Sequence, residues 1–279
     1  MEKILIFGAN GMLGRYLYTY LKKNTLYDVI PITKNEFNIT TNIDSLENFL
    51  ISKKIDDKTC IINCVGLIPQ RVGNNKTISI NEYFLINSVF PQLLCKYSNK
   101  YLSKMVQPTT DCVFSGSKGN YTESDYHDEK NVYGISKSLG ENLNCTIIRT
   151  SIIGEELTNK YSFLEWVKNS KDIIYGYNNH LWNGITCLEY AKIIKIIIQN
   201  DLFWSGVRHI YSPDIKSKYD LCCIIKKVYD VPIDIIKKEE GKMIDKTLKS
   251  IYPMNFSIPS LEKQIIELEK YFDLKIKIL

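Results

Sequence analysis

The run Lys3-Ile-Leu-Ile-Phe-Gly8-Ala-Asn-Gly11-Met-Leu-Gly14-Arg15 decides the fold class. Five residues of strand character lead straight into a G-x-x-G-x-x-G loop, and residues 13–22 continue with helical spacing of apolar positions. In such a strand–loop–helix unit Gly8 permits the tight turn and Gly11 lets backbone N–H groups approach a pyrophosphate. Gly14 lets the helix pack closely on the strand, and the helix N-terminus favours the anion. Gly8, Asn10, Gly11, Met12, Leu13, Gly14 and Arg15 are therefore candidate contacts for a dinucleotide.

Outward from this unit, short β-branched runs alternate with helical patterns. Strands are expected at 3–7, 28–32, 60–65, 105–107 and 146–149, and helices at 13–22, 43–51, 86–97 and from Tyr133 onward. Strict alternation predicts a Rossmann-type α/β fold, a doubly wound parallel sheet with helices on both faces. After about Thr150 the rhythm loosens; residues 161–169 and 188–199 read as helices, and Pro213, Pro232, Pro253 and Pro259 break the remainder. The expected division is a cofactor domain of residues 1–154 with 180–202, and a smaller substrate-binding lobe of 155–179 with 203–279. No low-complexity linker separates them, so a shared body with a cleft is expected.

Composition narrows the function classes. With 279 residues, 44% of them hydrophobic, the chain can bury a sizeable core. Thirty-six Lys and Arg against 31 Asp and Glu leave a net charge of +5, short of the clustered basic stripe of a nucleic-acid reader. No uninterrupted apolar run reaches membrane-spanning length and no charged leader precedes residue 4, so a soluble, cytoplasmic protein is expected, with neither nucleic acid nor membrane as partner. The eight cysteines lie mostly in apolar stretches without zinc-ligand spacing, which points to a reducing compartment and no metal.

Two further patterns carry chemistry. The tip of the second strand reads Ile30-Pro-Ile-Thr33-Lys34-Asn35, without the acid that would hold a ribose 2′-hydroxyl. Lys34 and Arg15 could instead accept a 2′-phosphate, so NADPH is expected ahead of NADH. Tyr133-Gly-Ile-Ser-Lys137 puts a phenol and an ammonium on one helix face. The lysine is expected to lower the phenol pKa, making Tyr133 a proton donor or acceptor, and Thr110 at the end of the preceding strand could hold a substrate carbonyl oxygen beside it. The three residues read together with the loop as a hydride-transfer site.

Here the sequence resembles the extended short-chain dehydrogenase/reductases, and among them the dTDP-4-dehydrorhamnose reductase family. The carriers are the glycine loop, Asn63-Cys-Val-Gly66, Ile86-Asn87-Ser-Val-Phe-Pro91, Thr109-Thr-Asp-Cys-Val-Phe-Ser-Gly116, Tyr121-Thr-Glu123, Asn131-Val-Tyr-Gly-Ile-Ser-Lys-Ser-Leu-Gly-Glu141 and Ile147-Ile-Arg-Thr150. The resemblance implies a Thr110/Tyr133/Lys137 triad, a turn over the cofactor at Asn63, Cys64, Val65 and Gly66, and Asn87 at the substrate side behind the site. It implies reduction of a nucleotide-linked 4-keto-6-deoxy sugar, UDP or dTDP, in rhamnose-type biosynthesis, with a homodimer as an open option.

Cys112 departs from many of these reductases. Thr110-x-Cys112-x-Phe114 is similar to the 3,5-epimerase/4-reductases of UDP-rhamnose synthesis, where a cysteine works with a lysine of the substrate lobe. A thiol near Lys137 is expected to titrate below its free value; the alternative is a small packing residue. Lys168, and less favourably Lys160, are the candidate lysine partners. Gln70, Arg71 and Lys246 are candidate substrate contacts, and His127, His180 and His209 are expected at surface or capping positions. A reductase lacking epimerase activity is one alternative. A non-catalytic binding protein, like the regulatory subunit of methionine adenosyltransferase, is the alternative of another class.

Overall fold

The computed structural model describes residues 1–69, 79–157, 160–254 and 256–271. The first half runs β1 (Lys3–Phe7), α1 (Met12–Asn24), β2 (Asp28–Ile32), α2 (Ile39–Asn42), α3 (Leu46–Ser52), β3 (Thr59–Asn63), α4 (Ile80–Phe84), α5 (Phe90–Lys100), β4 (Lys104–Thr110), α6 (Val132–Leu139) and β5 (Thr146–Thr150). The second half continues β6 (Ile152–Ile153), α7 (Phe163–Asn169), β7 (Ile173–Tyr177), β8 (His180–Trp182), β9 (Ile185–Thr186), α8 (Cys187–Gln199), β10 (Gly206–His209), β11 (Lys216–Ser217), α9 (Lys218–Tyr229), β12 (Asp234–Lys238), β13 (Ile244–Asp245) and α10 (Leu261–Glu269).

Six strands form one sheet in the order β10-β5-β4-β3-β1-β2, and every pairing is parallel. β3 and β5 are buried along their whole length, as a sheet covered on both faces requires. Alternate residues feed two layers: Ile4 and Ile6 enter the core beneath α1 and α8, while Leu5 and Phe7 enter the one beneath α3 and α5. The chain reverses direction of travel across the sheet between β1 and β3, and a crevice opens beyond the strand C-termini there.

Helix boundaries moved where side chains intervene. The helix expected at 43–51 is split into α2, a 3-10 turn at Ile43–Ser45 and α3, because the Asn38 side chain accepts the Thr40 N–H (3.2 Å) and starts the helix early. The helix expected at 86–97 begins at Ile80 and passes through a π turn, Leu85–Val89, before α5. Pro91 has no N–H to offer the carbonyl one turn back, and the ladder widens there, turning Asn87 inward.

The smaller lobe consists of β7 paired with β12, the β11-β8-β13 sheet, and helices α7 and α9. Leu164, Val167, Ile174, Leu221 and Ile225 belong to the same apolar cluster as Ile4, Leu17 and Ile193, so the two parts share one core. The sequence boundary at 202/203 is corrected by β10, which lies after it yet pairs with β5 in the main sheet. Among the described residues no helix is long and apolar enough to cross a membrane.

Candidate active site

The N-terminus of α1 sits at the centre of the crevice. Its N-cap, Gly11, supplies no side chain, so the first-turn N–H groups are left to an anion. Gly14 contributes by contact: a Cβ there would stand 2.2 Å from the Gly8 carbonyl oxygen. Across the crevice, Asn63 donates to Gln107 Oε1 (2.8 Å) and accepts the Val65 N–H (3.2 Å), fixing the turn that carries Cys64, Val65 and Gly66.

Two cavities meet at this turn, with Gly11, Cys64, Val65 and Gly66 in the walls of both. One, of about 390 Å³, runs over Gly8 and Asn10 to Lys34 at the tip of β2. The other, of about 460 Å³, runs over Met12 and Leu13 to Thr110, Cys112, Tyr133, Lys137 and Lys246. An elongated trough with an anion-binding helix end in its middle and a cation at one end fits a dinucleotide phosphate. Arg15, expected beside Lys34, is not part of that wall.

The reactive groups converge from three elements. Thr110 ends β4 and its hydroxyl oxygen accepts the Cys112 N–H (3.1 Å), opening a 3-10 turn at Asp111–Val113. Asn131 caps α6 by accepting the Gly134 N–H (2.8 Å), which places Tyr133 and Lys137 in the first two turns facing β4. A Cβ at Gly134 would lie 2.6 Å from the Cys112 carbonyl oxygen, so glycine lets α6 close onto that turn. The Thr110 hydroxyl donates to Asp111 Oδ1 (3.2 Å) and shares the cavity wall with the Tyr133 phenol, and the buried Lys137 ammonium donates to the Pro108 carbonyl (3.3 Å).

Electrostatics correct two expectations. Burial, with Cys112 alongside, pushes the Tyr133 phenol up rather than down, while burial lowers Lys137, whose ammonium is turned to a backbone carbonyl. Burial and the neighbouring Asp111 push the Cys112 thiol up to about 12, not below its free value. At neutral pH both Tyr133 and Cys112 are protonated, as proton donors need to be.

Besides Lys137 and Lys246, which share its cavity wall, Cys112 acts on a lysine that the sequence reading missed. Lys168 pairs with Glu155 and lies over the Tyr229 ring (4.4 Å), and neither it nor the exposed Lys160 lines the 460 Å³ cavity. Lys218 stands against the Phe163 and Trp182 rings (4.8 and 5.1 Å), with Asp111 and Cys112 among the groups that act on its charge. Burial lowers its pKa. The available signal was Ser217-x-x-Asp220, a capping box that opens a helix with a lysine at its positive end, where the dipole disfavours one.

Other placements differ as well. Both polar atoms of the Asn87 amide are used within the protein, on the Leu67 backbone (2.9 and 3.0 Å) and on Ser136 Oγ (3.0 Å), which braces the helix against the turn at Leu67. Lys246 does reach the cavity, where its ammonium is 3.3 Å from Glu129. Gln70 and Arg71 lie outside the described residues. His127 and His209 do not serve the surface: both ring Nε2 atoms face the fully buried Arg149 (2.7 Å each), which also pairs with Glu141. Glu141 in turn accepts from Thr109 Oγ1 (2.5 Å), next to Thr110.

Residues 1–233 match the RmlD substrate binding domain family. A dTDP-4-dehydrorhamnose reductase of Aggregatibacter actinomycetemcomitans is 32% identical over 238 residues, 81% of this chain and 78% of that protein. Methionine adenosyltransferase 2 subunit beta of Bos taurus is 21% identical over 253 residues, 83% and 73% of the two chains. The crystal structure of dTDP-4-dehydrorhamnose reductase from Bacillus anthracis in complex with NADP has the same fold, with a TM-score of 0.79 at 20% identity, covering 96% of this chain and 98% of that one. The family match takes in the glycine loop, the Thr110–Lys137 constellation and much of the smaller lobe, and on that extent the chain belongs to the RmlD family of extended short-chain dehydrogenase/reductases.

Proposed function

We propose that the protein is an NADPH-dependent 4-reductase of a nucleotide-linked 4-keto-6-deoxy sugar, dTDP or UDP, in deoxysugar biosynthesis of the rhamnose type. The observation that carries this is the convergence of the Thr110 hydroxyl, the Tyr133 phenol and the Lys137 ammonium at one end of a dinucleotide-shaped trough. When bound, the nicotinamide supplies a hydride to C4. Thr110 orients the carbonyl oxygen, and Tyr133 gives that oxygen its proton, so the ketone becomes an alcohol and a phenolate remains. The buried Lys137 charge favours that phenolate, and solvent reprotonates it.

A third cavity of about 610 Å³ in the smaller lobe gives room for the nucleotide. Phe163, Trp166, Tyr175 and Tyr177 offer ring faces, Lys171 and Lys238 offer charge, and Lys218 belongs to this wall within electrostatic reach of Asp111 and Cys112. A base on the rings with a diphosphate along the lysines directs the sugar towards Thr110.

The same reading includes epimerisation at C3 or C5. Lys218, its pKa lowered, is the base that takes the acidified C–H proton, and the protonated Cys112 thiol returns a proton to the opposite face of the enolate. The proton count is unchanged and the carbon inverted. Similarity to the methionine adenosyltransferase subunit supports a non-catalytic alternative. Incubation with dTDP- and UDP-4-keto-6-deoxyglucose and NADPH in D₂O tests all three: NADPH loss reports reduction, deuterium at C3 or C5 reports epimerisation, and neither leaves the binding role.

A further inference from the structure

Two side chains near the end of α6 grip successive residues of β4. Lys137 donates to the Pro108 carbonyl (3.3 Å), and one helical turn further on Glu141 Oε1 accepts the Thr109 hydroxyl (2.5 Å). The next residue of the strand is Thr110. Glu141 follows the C-cap Gly140, where a Cβ would stand 2.0 Å from the Asn87 carbonyl oxygen, so glycine lets this end of the helix close on its neighbour. Lys137 and Glu141 are both buried, and the same carboxylate pairs with Arg149.

Burial lowers the Lys137 pKa, and Glu141 is foremost among the groups that oppose the shift. The others are Cys64 and Cys112, thiols that burial pushes up and so keeps neutral at neutral pH. Tyr133, one turn before Lys137, is protonated for the same reason. Asp111 faces the cavity from the end of β4 and Lys246 from the smaller lobe; Asp111 acts on Cys112, Tyr133 and Lys218, and Lys246 on Cys112. We propose that Glu141 is a positioning residue for the reduction: held by Thr109 and Arg149, its carboxylate keeps Lys137 in the ammonium form that favours the Tyr133 phenolate. Glu141 is in the wall of neither crevice cavity and acts through Lys137. His127 and His209 face the same ion pair, but burial lowers both, so they titrate on the acid side. The inference rests on the reductase reading above.

NADPH consumption by the full-length protein with dTDP- or UDP-4-keto-6-deoxyglucose, followed across pH, tests it. Rate should be lost at alkaline pH as Lys137 gives up its proton. In Glu141→Gln that limb is expected to move down by about one pH unit, which makes the rate about tenfold lower on the limb, the scale of one close opposite charge. Glu141→Asp keeps the charge and should leave the limb in place even where it lowers kcat, whereas a merely structural role makes the two variants alike. Glu141→Gln leaves Arg149 buried without its carboxylate, so the double variant Glu141→Gln/Arg149→Met, which removes both charges together, should move the limb the same way. Reductive methylation of Lys137, read by mass spectrometry across pH, follows the neutral amine without turnover and should shift by the same amount. A limb or a methylation curve that stays in place in a folded Glu141→Gln or double variant, or that Glu141→Asp moves as far, overturns the proposal. Absence of turnover in the unaltered protein overturns the reductase reading, and the methylation curve then decides by itself whether Glu141 governs Lys137.

Discussion

At the scale of single residues, the site gathers acidic side chains that burial keeps protonated. The Tyr133 phenol is pushed up by desolvation and by Cys112, which suits an acid working in the reductive direction. Tyr133→Phe should keep cofactor affinity in titrations and lower reduction by about 10² or more, the usual scale for a general acid; near-normal turnover removes Tyr133 from the mechanism. Cys112 makes a separable prediction because its thiol, held up to about 12, serves only the epimerisation half of the proposal. In Cys112→Ala, deuterium exchange next to the keto group should vanish while reduction of an already epimerised substrate persists. Undiminished exchange in the folded variant assigns Cys112 to packing.

At the scale of elements, α9 and α6 decide what reaches the cavity. Lys218 opens α9 behind a capping box and is clamped between two rings, whereas Lys168 at the end of α7 is held by Glu155. Lys218→Met should abolish deuterium exchange and Lys168→Met should leave it within about twofold, an assignment that the opposite result reverses. Gly134→Ala should destabilise the fold by about 1–3 kcal/mol, measured by denaturant titration, since the added methyl meets the Cys112 carbonyl and the Glu129 side chain. These elements also mark what was legible beforehand. The glycine loop and the Tyr133/Lys137 pair are local patterns, with spacings of three and four residues, and the chain announces them. Lys218 comes within electrostatic reach of Cys112 only because the smaller lobe folds onto the sheet, and Asn87 is buried in a π turn that ends just before Pro91. No local spacing encodes such meetings.

At the scale of the whole molecule, the buried Arg149 joins the layers. His209 donates from Nδ1 to the Lys249 carbonyl (2.9 Å) and offers Nε2 to Arg149, so it must be neutral, and burial with Arg149 holds its pKa down to about 4. Its unfolded counterpart titrates at about 6.5. The unfolded chain therefore binds the extra proton first: the contribution is complete above about pH 6.5 and is lost as pH falls towards 4, on the order of 3 kcal/mol. Chemical denaturation at pH 7 and pH 5 checks this, with His209→Gln expected to flatten the difference. No local pattern signals this linkage, because Arg149 and His209 are sixty residues apart and meet through the pairing of β5 with β10. That pairing also bears on how the protein is made. Five strands of the sheet emerge from the ribosome before β10, so a nascent chain ending near residue 205 presents β5 with a bare edge and Leu164 and Val167 without their α9 partners. Chains stopped there should be digested quickly by protease and captured by holdase chaperones, and release should come only once the chain through α9 has been synthesised.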